Sequence, residues 1–296
     1  MSLVVNHNLM AGNIANSLNS HYGRLATSTE RLSTGLRINS SADDAAGLAI
    51  RELMRSDIAT MQQGVRNAND AISLIQTADG ALGVIDEKLI RMKELAEQAA
   101  TGTYDSTQRL MIESEYQQMA SEITRIANAT DFNGIHLLNG NLSSDTHNGK
   151  DLTATGKMKI HFGTANDSAE DYYYIQIGSA TASSFGVGNE AASDAKAYTV
   201  STQEAAQRAL VGLTDAIVSK DKIRAHIGAM QNRLENTITN LTTQAENLQA
   251  AESRISDVDV ATEMTNFVRN QILTQSAVAM LSQANSLPQM AMQLIG

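Results

Sequence analysis

The sequence predicts a mainly α-helical protein. It is expected to be a long antiparallel helical rod or coiled coil with a small β-hairpin module, folded back so that its N- and C-termini pair. Three observations predict it. Apolar residues recur at steps of three and four through residues 44–100 and again through about 201–258, the period of a helix buried along one face. A single proline, Pro288, serves 296 residues, so no missing amide interrupts a helix before it. Aromatic residues are 4% of the chain and tryptophan is absent. Leu, Ile, Ala and Met carry the apolar load instead, which suits helix packed on helix.

Residues 1–35 carry Ile14, Leu18, Tyr22, Leu25 and Leu32. Leu18, Leu25 and Leu32 are spaced by heptads, as in a coiled coil. His21 lies in this stripe and reads as structural. Gly35 is placed to end the helix, because only glycine takes the left-handed cap conformation without steric cost. Ser41 precedes Asp44 by three residues, a capping-box pattern for a new helix. Asp43 and Asp44 also set negative charge at the positive end of that helix's dipole. Arg31 to Ile50 therefore reads as a joint between two helices.

The next helix, 44–100, carries Ile58, Met61, Val65, Ala68, Ile72 and Ile75, then Leu82, Ile85, Leu89, Met92 and Ala96. At 1.5 Å per residue it is about 85 Å long, and Gly102 is expected to close it. Ser106 is the expected N-cap of a helix to Ala129, with Leu110, Tyr116, Met119, Ile123 and Ile126 on one side and Glu113 and Glu115 on a solvated face. Asp131-Phe-Asn-Gly and Leu138-Asn-Gly mark turns. Residues 141–200 are rich in Ser, Thr, Gly, Asn and Asp. Within them Lys157–Phe162 and Tyr172–Ile177 alternate polar and apolar, giving two strands around a turn at Gly163–Glu170. So small a sheet must pack against the helices.

From Ser201 the helical period returns through Leu213, Ile217, Ile227, Leu234, Leu241 and Leu248. This helix matches the earlier long one in length, and the two should pair antiparallel. A last helix follows Ser256-Asp257, with Met264, Phe267, Val268, Ile272, Leu273, Val278, Met280, Leu281 and Leu287 apolar. Three regions result: a terminal coiled-coil core (1–42 with 256–296), a helical rod (43–140 with 201–255) and a hairpin module of that rod (141–200). The last segment, Ser276 to Ile295, is apolar on several sides and so expects burial on several sides. A two-helix hairpin cannot supply that. The expectation is self-association, with both termini ordering when a partner arrives.

Several functions are excluded. A net charge of −10 disfavours a nucleic-acid binder, which displaces counterions with a basic stripe, and leaves no basic patch for an anionic membrane. Cysteine is absent, so there are no disulfides, thiol nucleophiles or thiolate metal sites. No stretch reaches the roughly 18–20 apolar residues of a membrane span, and the N-terminus is not a secretory signal of the usual kind. By that criterion alone the chain stays in the cytoplasm unless another pathway reads it. His7, His21, His136, His147, His161 and His226 show no zinc-type spacing. Gly178, Gly186 and Gly188 lack the context of a nucleotide loop, and Tyr172–Tyr174 fill a strand. No catalytic, cofactor or metal residues are assigned. A self-assembling structural protein fits these features; coiled ends alone would also permit a cytoplasmic coiled-coil adaptor.

Longer strings are more specific. Leu32-Ser-Thr-Gly-Leu-Arg-Ile-Asn-Ser with Asp43-Asp-Ala-Ala-Gly-Leu-Ala-Ile closely resembles the N-terminal signature of bacterial flagellins. Val65-Arg-Asn-Ala-Asn-Asp-Ala-Ile-Ser-Leu-Ile-Gln-Thr-Ala-Asp-Gly-Ala-Leu resembles the family's long helix. Thr130-Asp-Phe-Asn-Gly resembles its post-helix turn, and Ala251-Glu-Ser-Arg-Ile-Ser-Asp-Val-Asp-Val-Ala-Thr-Glu-Met its C-terminal signature. The resemblance implies a minimal flagellin, a filament subunit used for motility, lacking large outer domains. It implies polymerisation through the terminal helices, to which Leu18, Leu25, Leu32, Phe267, Ile272 and Leu281 are assigned. It further implies export through the flagellar type III apparatus to the extracellular filament. The implied partners are further copies of itself, an export chaperone on the C-terminal helices, filament cap and junction proteins, and the vertebrate Toll-like flagellin receptor. Ile90-Arg-Met-Lys-Glu-Leu-Ala-Glu-Gln98 resembles the receptor-bound segment, so Arg91, Leu95 and Glu115 are the implied contacts, with Ile90 and Lys93 departing from the pattern. The nearest alternative within the class is a hook–filament junction protein; the match through residues 65–82 favours the filament subunit.

Overall fold

The computed structural model describes residues 8–150 and 155–295. Residues 1–7, with His7, and the side chains of Leu287, Leu294 and Ile295 lie outside that description. The first helix, α1 (Leu9–Thr34), starts at Asn8, whose side chain accepts the Ala11 amide. It ends as expected at Gly35, with φ +74° and its amide donated to the Arg31 carbonyl at 2.9 Å.

The second helix, α2 (Ala45–Ala100), differs at both ends from the sequence expectation. Asp44, not Ser41, caps it: Asp44 Oδ1 accepts the Gly47 amide at 2.9 Å. Only a side chain immediately before the first helical residue reaches the third helical amide, and Ser41 lies further back in the turn. Asp43 closes that turn by accepting the Ser40 and Asn39 amides at 3.0 and 3.1 Å. Those amides, Ser40 first, hold its carboxyl below the usual aspartate value. At the other end Gly102 is not the cap. Arg109 reaches back instead and donates to the carbonyls of Ala99 and Thr101 at 2.9 and 3.1 Å, satisfying acceptors that a helix end leaves open.

Helix α3 (Ser106–Ala129) is capped by Asp105 rather than Ser106; Gln108 Oε1 accepts the Asp105 amide at 3.0 Å. The Asn-Gly turn follows as a two-residue hairpin between β1 (Asp131–Phe132) and β2 (Ile135–His136). Asn133 and Gly134 both take positive φ, +53° and +79°, as such a turn requires. Three elements then appear that the sequence does not predict: β3 (His147–Asn148) paired with β4 (Thr155–Gly156), and the single-turn helix α4 (Ala182–Phe185). Between them stands the expected hairpin, β5 (Met158–His161) antiparallel to β6 (Tyr172–Ile175), in the register Met158 with Ile175 and His161 with Tyr172. The long helix α5 (Gln203–Ser256) and the last helix α6 (Val260–Ile295) complete the chain.

The fold divides into a central unit (Ala59–Ala245) and a terminal unit, formed by the residues up to Ile58 and those from Glu246 onward. The central unit holds the main core. Leu82, Ile85, Leu89 and Met92 of α2 are fully buried, as are Tyr116 and Ile123 of α3 and Leu213 and Leu234 of α5. The predicted α2 stripe is therefore the buried face. On α3 the stripe is rotated: Leu110 is 60% exposed and Ile112 points inward. Helices α2 and α5 run antiparallel, since Asp79 pairs with Arg224 at 2.7 Å while Asp86 pairs with Lys220 at 2.6 Å. Glu113, expected on a solvated face, is half-buried and accepts the Val200 amide at 2.6 Å. Tyr116 donates to the Ala197 carbonyl at 2.6 Å and Gln117 to that of Tyr198 at 2.9 Å. These polar groups fasten the loop before α5 onto α3. The hairpin sits against α2 at Gly64, where an added Cβ would lie 2.1 Å from the Phe162 carbonyl oxygen.

Candidate assembly interface

Two joints meet in the terminal unit. The turn after α1 forms an antiparallel bridge with the turn before α6, Leu36 opposite Asp257. The Arg37 amide donates to Ser256 O at 2.6 Å, and the Val258 amide to Gly35 O at 3.0 Å. Arg51, only 8% exposed, adds a bond to the Ile38 carbonyl at 2.7 Å. The opening of α6 is fixed by Asp259, which accepts from the Thr262 hydroxyl at 2.7 Å and from the Ala261 amide at 3.0 Å. The Thr262 hydroxyl and amide, followed by the Ala261 amide, hold the Asp259 carboxyl below its ordinary value. Asn8 ties the far ends, donating to Ala284 O at 2.8 Å.

Between these anchors α1 and α6 pair along a heptad seam. From α1 come Leu18, His21, Leu25, Ser28 and Leu32; the leucines are half-buried, Ser28 is buried, and Tyr22 points outward at 52% exposure. His21 therefore takes the seam position that the sequence reading shared with Tyr22. From α6 come Glu263, Asn270, Thr274 and Ala284, all buried, with Phe267 and Leu281 half-buried. The α6 side of the seam is thus largely polar or small. Its other large apolar residues are exposed around several sides of the helix: Val260, Met264, Val268, Ile272, Leu273, Val278 and Met280 are each 38% to 57% exposed. Ile272, at 57%, is the assigned residue that stands free of the seam.

This departs from ordinary burial, in which large apolar groups go inside. The polar groups within are also incompletely paired. The buried atoms lacking a hydrogen-bond partner among the described residues are His21 Nδ1, Arg31 Nε and Ser256 Oγ, and all three belong to the terminal unit. Beside the seam runs a polar groove of about 530 Å³ lined by Arg24, Ser28, Arg31, Glu263, Arg269 and Asn270. Arg31 reaches Glu263 and Asp43 only at 3.9 and 4.0 Å.

The second candidate surface lies on the central unit. Arg91 on α2 donates through Nη2 and Nε to Glu115 on α3 at 2.8 and 3.1 Å, and through Nη1 to Glu94 at 3.0 Å. The hydrogen bonds it donates to Glu115, then to Glu94, raise the guanidinium's pKa. Both Arg91 and Glu115 are exposed, whereas Leu95 is only 1% exposed and packs in the core beneath them. The sequence reading grouped the three; the fold puts two on the surface and one under it. Among the described residues no group of three or more His, Asp or Glu side chains could hold a metal ion, and no helix is long and apolar enough to cross a membrane.

Residues 5–143 match the model of the bacterial flagellin N-terminal helical region, and residues 210–295 that of the C-terminal helical region. Flagellin FlaB2 of Treponema pallidum is 41% identical, with 99% of this chain and 100% of that one covered. The chain belongs to the bacterial flagellin family. It is therefore a structural protein and not an enzyme, which agrees with the sequence expectation. The flagellar filament 33 kDa core protein of Treponema phagedenis is 40% identical over 99% of this flagellin and 100% of its own length. The flagellin of Bacillus subtilis is also 40% identical, over 98% and 99%. The fold is shared more widely: a solved chain described as a flagellar hook-associated protein from Vibrio parahaemolyticus has a TM-score of 0.55 at 15% identity, over 73% of this chain and 100% of that one.

Proposed function

We propose that the chain is a structural subunit that polymerises through its terminal helices into the filament of a bacterial flagellum, serving motility. The observation that carries this reading is the set of large apolar side chains that α6 leaves exposed on several sides. Burying the exposed half of its large side chains would contribute on the order of 10 kcal/mol. That is comparable with the ~4–15 kcal/mol cost of immobilising a partner. The assigned residues then have two jobs. Leu18, Leu25, Leu32, Phe267 and Leu281 hold α1 to α6, and Ile272 meets the neighbouring subunit. In this reading 1–42 and 256–296 are the assembly core, and the remainder is rod and hairpin module.

The full-length relatedness to filament core proteins favours a filament subunit over a hook–filament junction protein, whose class shares the fold at much lower identity. By family, the subunit leaves through the flagellar type III apparatus, guarded by a chaperone on the C-terminal helices. It then meets cap and junction proteins at the extracellular filament. The Arg91–Glu115 surface is the proposed contact for the vertebrate Toll-like flagellin receptor; Leu95 supports it from within. Receptor reporter assays with Arg91→Ala and Glu115→Ala monomers should show weakened signalling at unchanged melting temperature, and equal signalling would remove the site.

Electron microscopy of the purified chain after seeding or salting-out tests the main reading. Long hollow filaments of uniform diameter are expected. Persistent monomers or short capped stubs would contradict it.

A further inference from the structure

Methionine is spread unevenly over the accessible surface. In the central unit Met61, Met119, Met158 and Met230 are half-covered and Met92 is fully buried. On the terminal helices Met10 is 46% exposed, Met264 45%, Met280 53% and Met290 45%. Met111 on α3, at 67%, is the exposed methionine of the central unit. The terminal thioethers stand exposed on several sides of α6, with Met10 near the start of α1, and α6 also exposes Val260, Val268, Ile272 and Val278. That surface is useful only while it is apolar, and the thioether is the one apolar group there that an oxidant can turn polar.

We propose that Met10, Met264, Met280 and Met290 are modification sites that make assembly sensitive to two-electron peroxide oxidants. The proposal rests on the reading of α6 as the assembly face. In the reaction a methionine sulfur lone pair attacks one oxygen of hydrogen peroxide. The O–O bond breaks as the S–O bond forms, the sulfur is oxidised by two electrons to the sulfoxide, and the peroxide is reduced to water. The product is polar and chiral where the neighbouring subunit requires apolar area, so the oxidised subunit fails to add. The change is reversible by methionine sulfoxide reductases, one enzyme for each sulfoxide epimer, with a dithiol as electron donor. Once a neighbour covers the face the same sulfurs are shielded, so the free subunit is the vulnerable form.

The test treats the purified full chain with hydrogen peroxide, locates sulfoxides by peptide mass spectrometry, and measures elongation from seeds. Elongation should fall at least ten-fold as these four positions oxidise, at an unchanged far-ultraviolet helix signal. It should return after treatment with both reductases and a dithiol. A chain carrying Met10→Leu, Met264→Leu, Met280→Leu and Met290→Leu should elongate after peroxide, whereas Met111→Leu should give no protection. Pre-formed filaments should keep the four methionines reduced. The proposal is overturned if oxidised subunits elongate normally, if the reductases do not restore elongation, or if the four-leucine chain is equally inhibited. A chain that fails to elongate before any oxidation overturns the assembly reading itself, and this proposal with it.

Discussion

At the scale of single residues, packing and charge in the central unit make specific demands. Gly64 leaves no room for a side chain, because the Phe162 backbone occupies the place of a Cβ. Gly64→Ala should push the hairpin off α2 and cost about 1–3 kcal/mol, read as a lowered denaturation midpoint. Lys220 is 2% exposed yet charged. Burial works against its charge, but hydrogen bonds to Asp221 and Asp86 outweigh it and hold its pKa above the ordinary lysine value. Asp79 is held below the usual aspartate value, chiefly by the hydrogen bond from Arg224. The signs set the pH window. The contribution of Asp79 is present above its unfolded pKa and is lost as pH falls through the lower folded value. That of Lys220 is present below its unfolded pKa and is lost as pH rises through the higher folded value. Melting temperature should therefore be flat near neutrality and fall in acid below about 3.8 and in alkali above about 10.5; a sharp transition near pH 6–7 would contradict this. Leu95→Asp would bury a charge and destabilise the core by several kcal/mol, so lost receptor signalling in that variant would report unfolding rather than a lost contact. The cap residues show where sequence reading stops at this scale. Ser41 and Asp44 are equally good capping types, and only the path of the turn through Asp43 decides between them.

At the scale of elements, periodicity made the helices legible. The steps of three and four in α2 name the residues that are buried, because a long helix shows one face to its neighbours along most of its length. Shorter pieces were less legible. The pair β3–β4 has two residues per strand, too few for any period, and α4 is a single turn whose signals were only Thr181 before it and Gly186 after it. Helix α6 was legible in part. Its many-sided apolar character was visible in the sequence, but not that the face turned to α1 would bury Glu263, Asn270 and Thr274 beside Phe267 and Leu281. That choice depends on α1, which offers Ser28, His21 and Arg31 along with its leucines. Deleting residues 1–35 or 260–296 should therefore abolish polymerisation while the central unit keeps its cooperative helical melting transition. Normal filaments from either truncation would remove the terminal helices from the assembly surface.

At the scale of the whole molecule, a central unit with a large buried core is continuous with terminal helices that leave large apolar groups exposed. An open filament needs a heterologous contact, in which one patch meets a different patch on the next copy. A chain of net charge −10 repels its own kind at low ionic strength. Screening shortens that repulsion, and sulfate also strengthens apolar burial. Elongation from seeds should therefore quicken with added sulfate more than with chloride at equal ionic strength. The assembly role was readable from the terminal strings and the excess of apolar residues; the division of labour between seam and outer face was not, because it is set by tertiary packing. The most direct measurement is seeded elongation of an Ile272→Glu chain, followed by electron microscopy. Ile272 is 57% exposed, so the substitution should leave melting unchanged. Loss of elongation at an unaltered melting temperature is the result the account predicts. Filaments of normal length and diameter from that chain would contradict it.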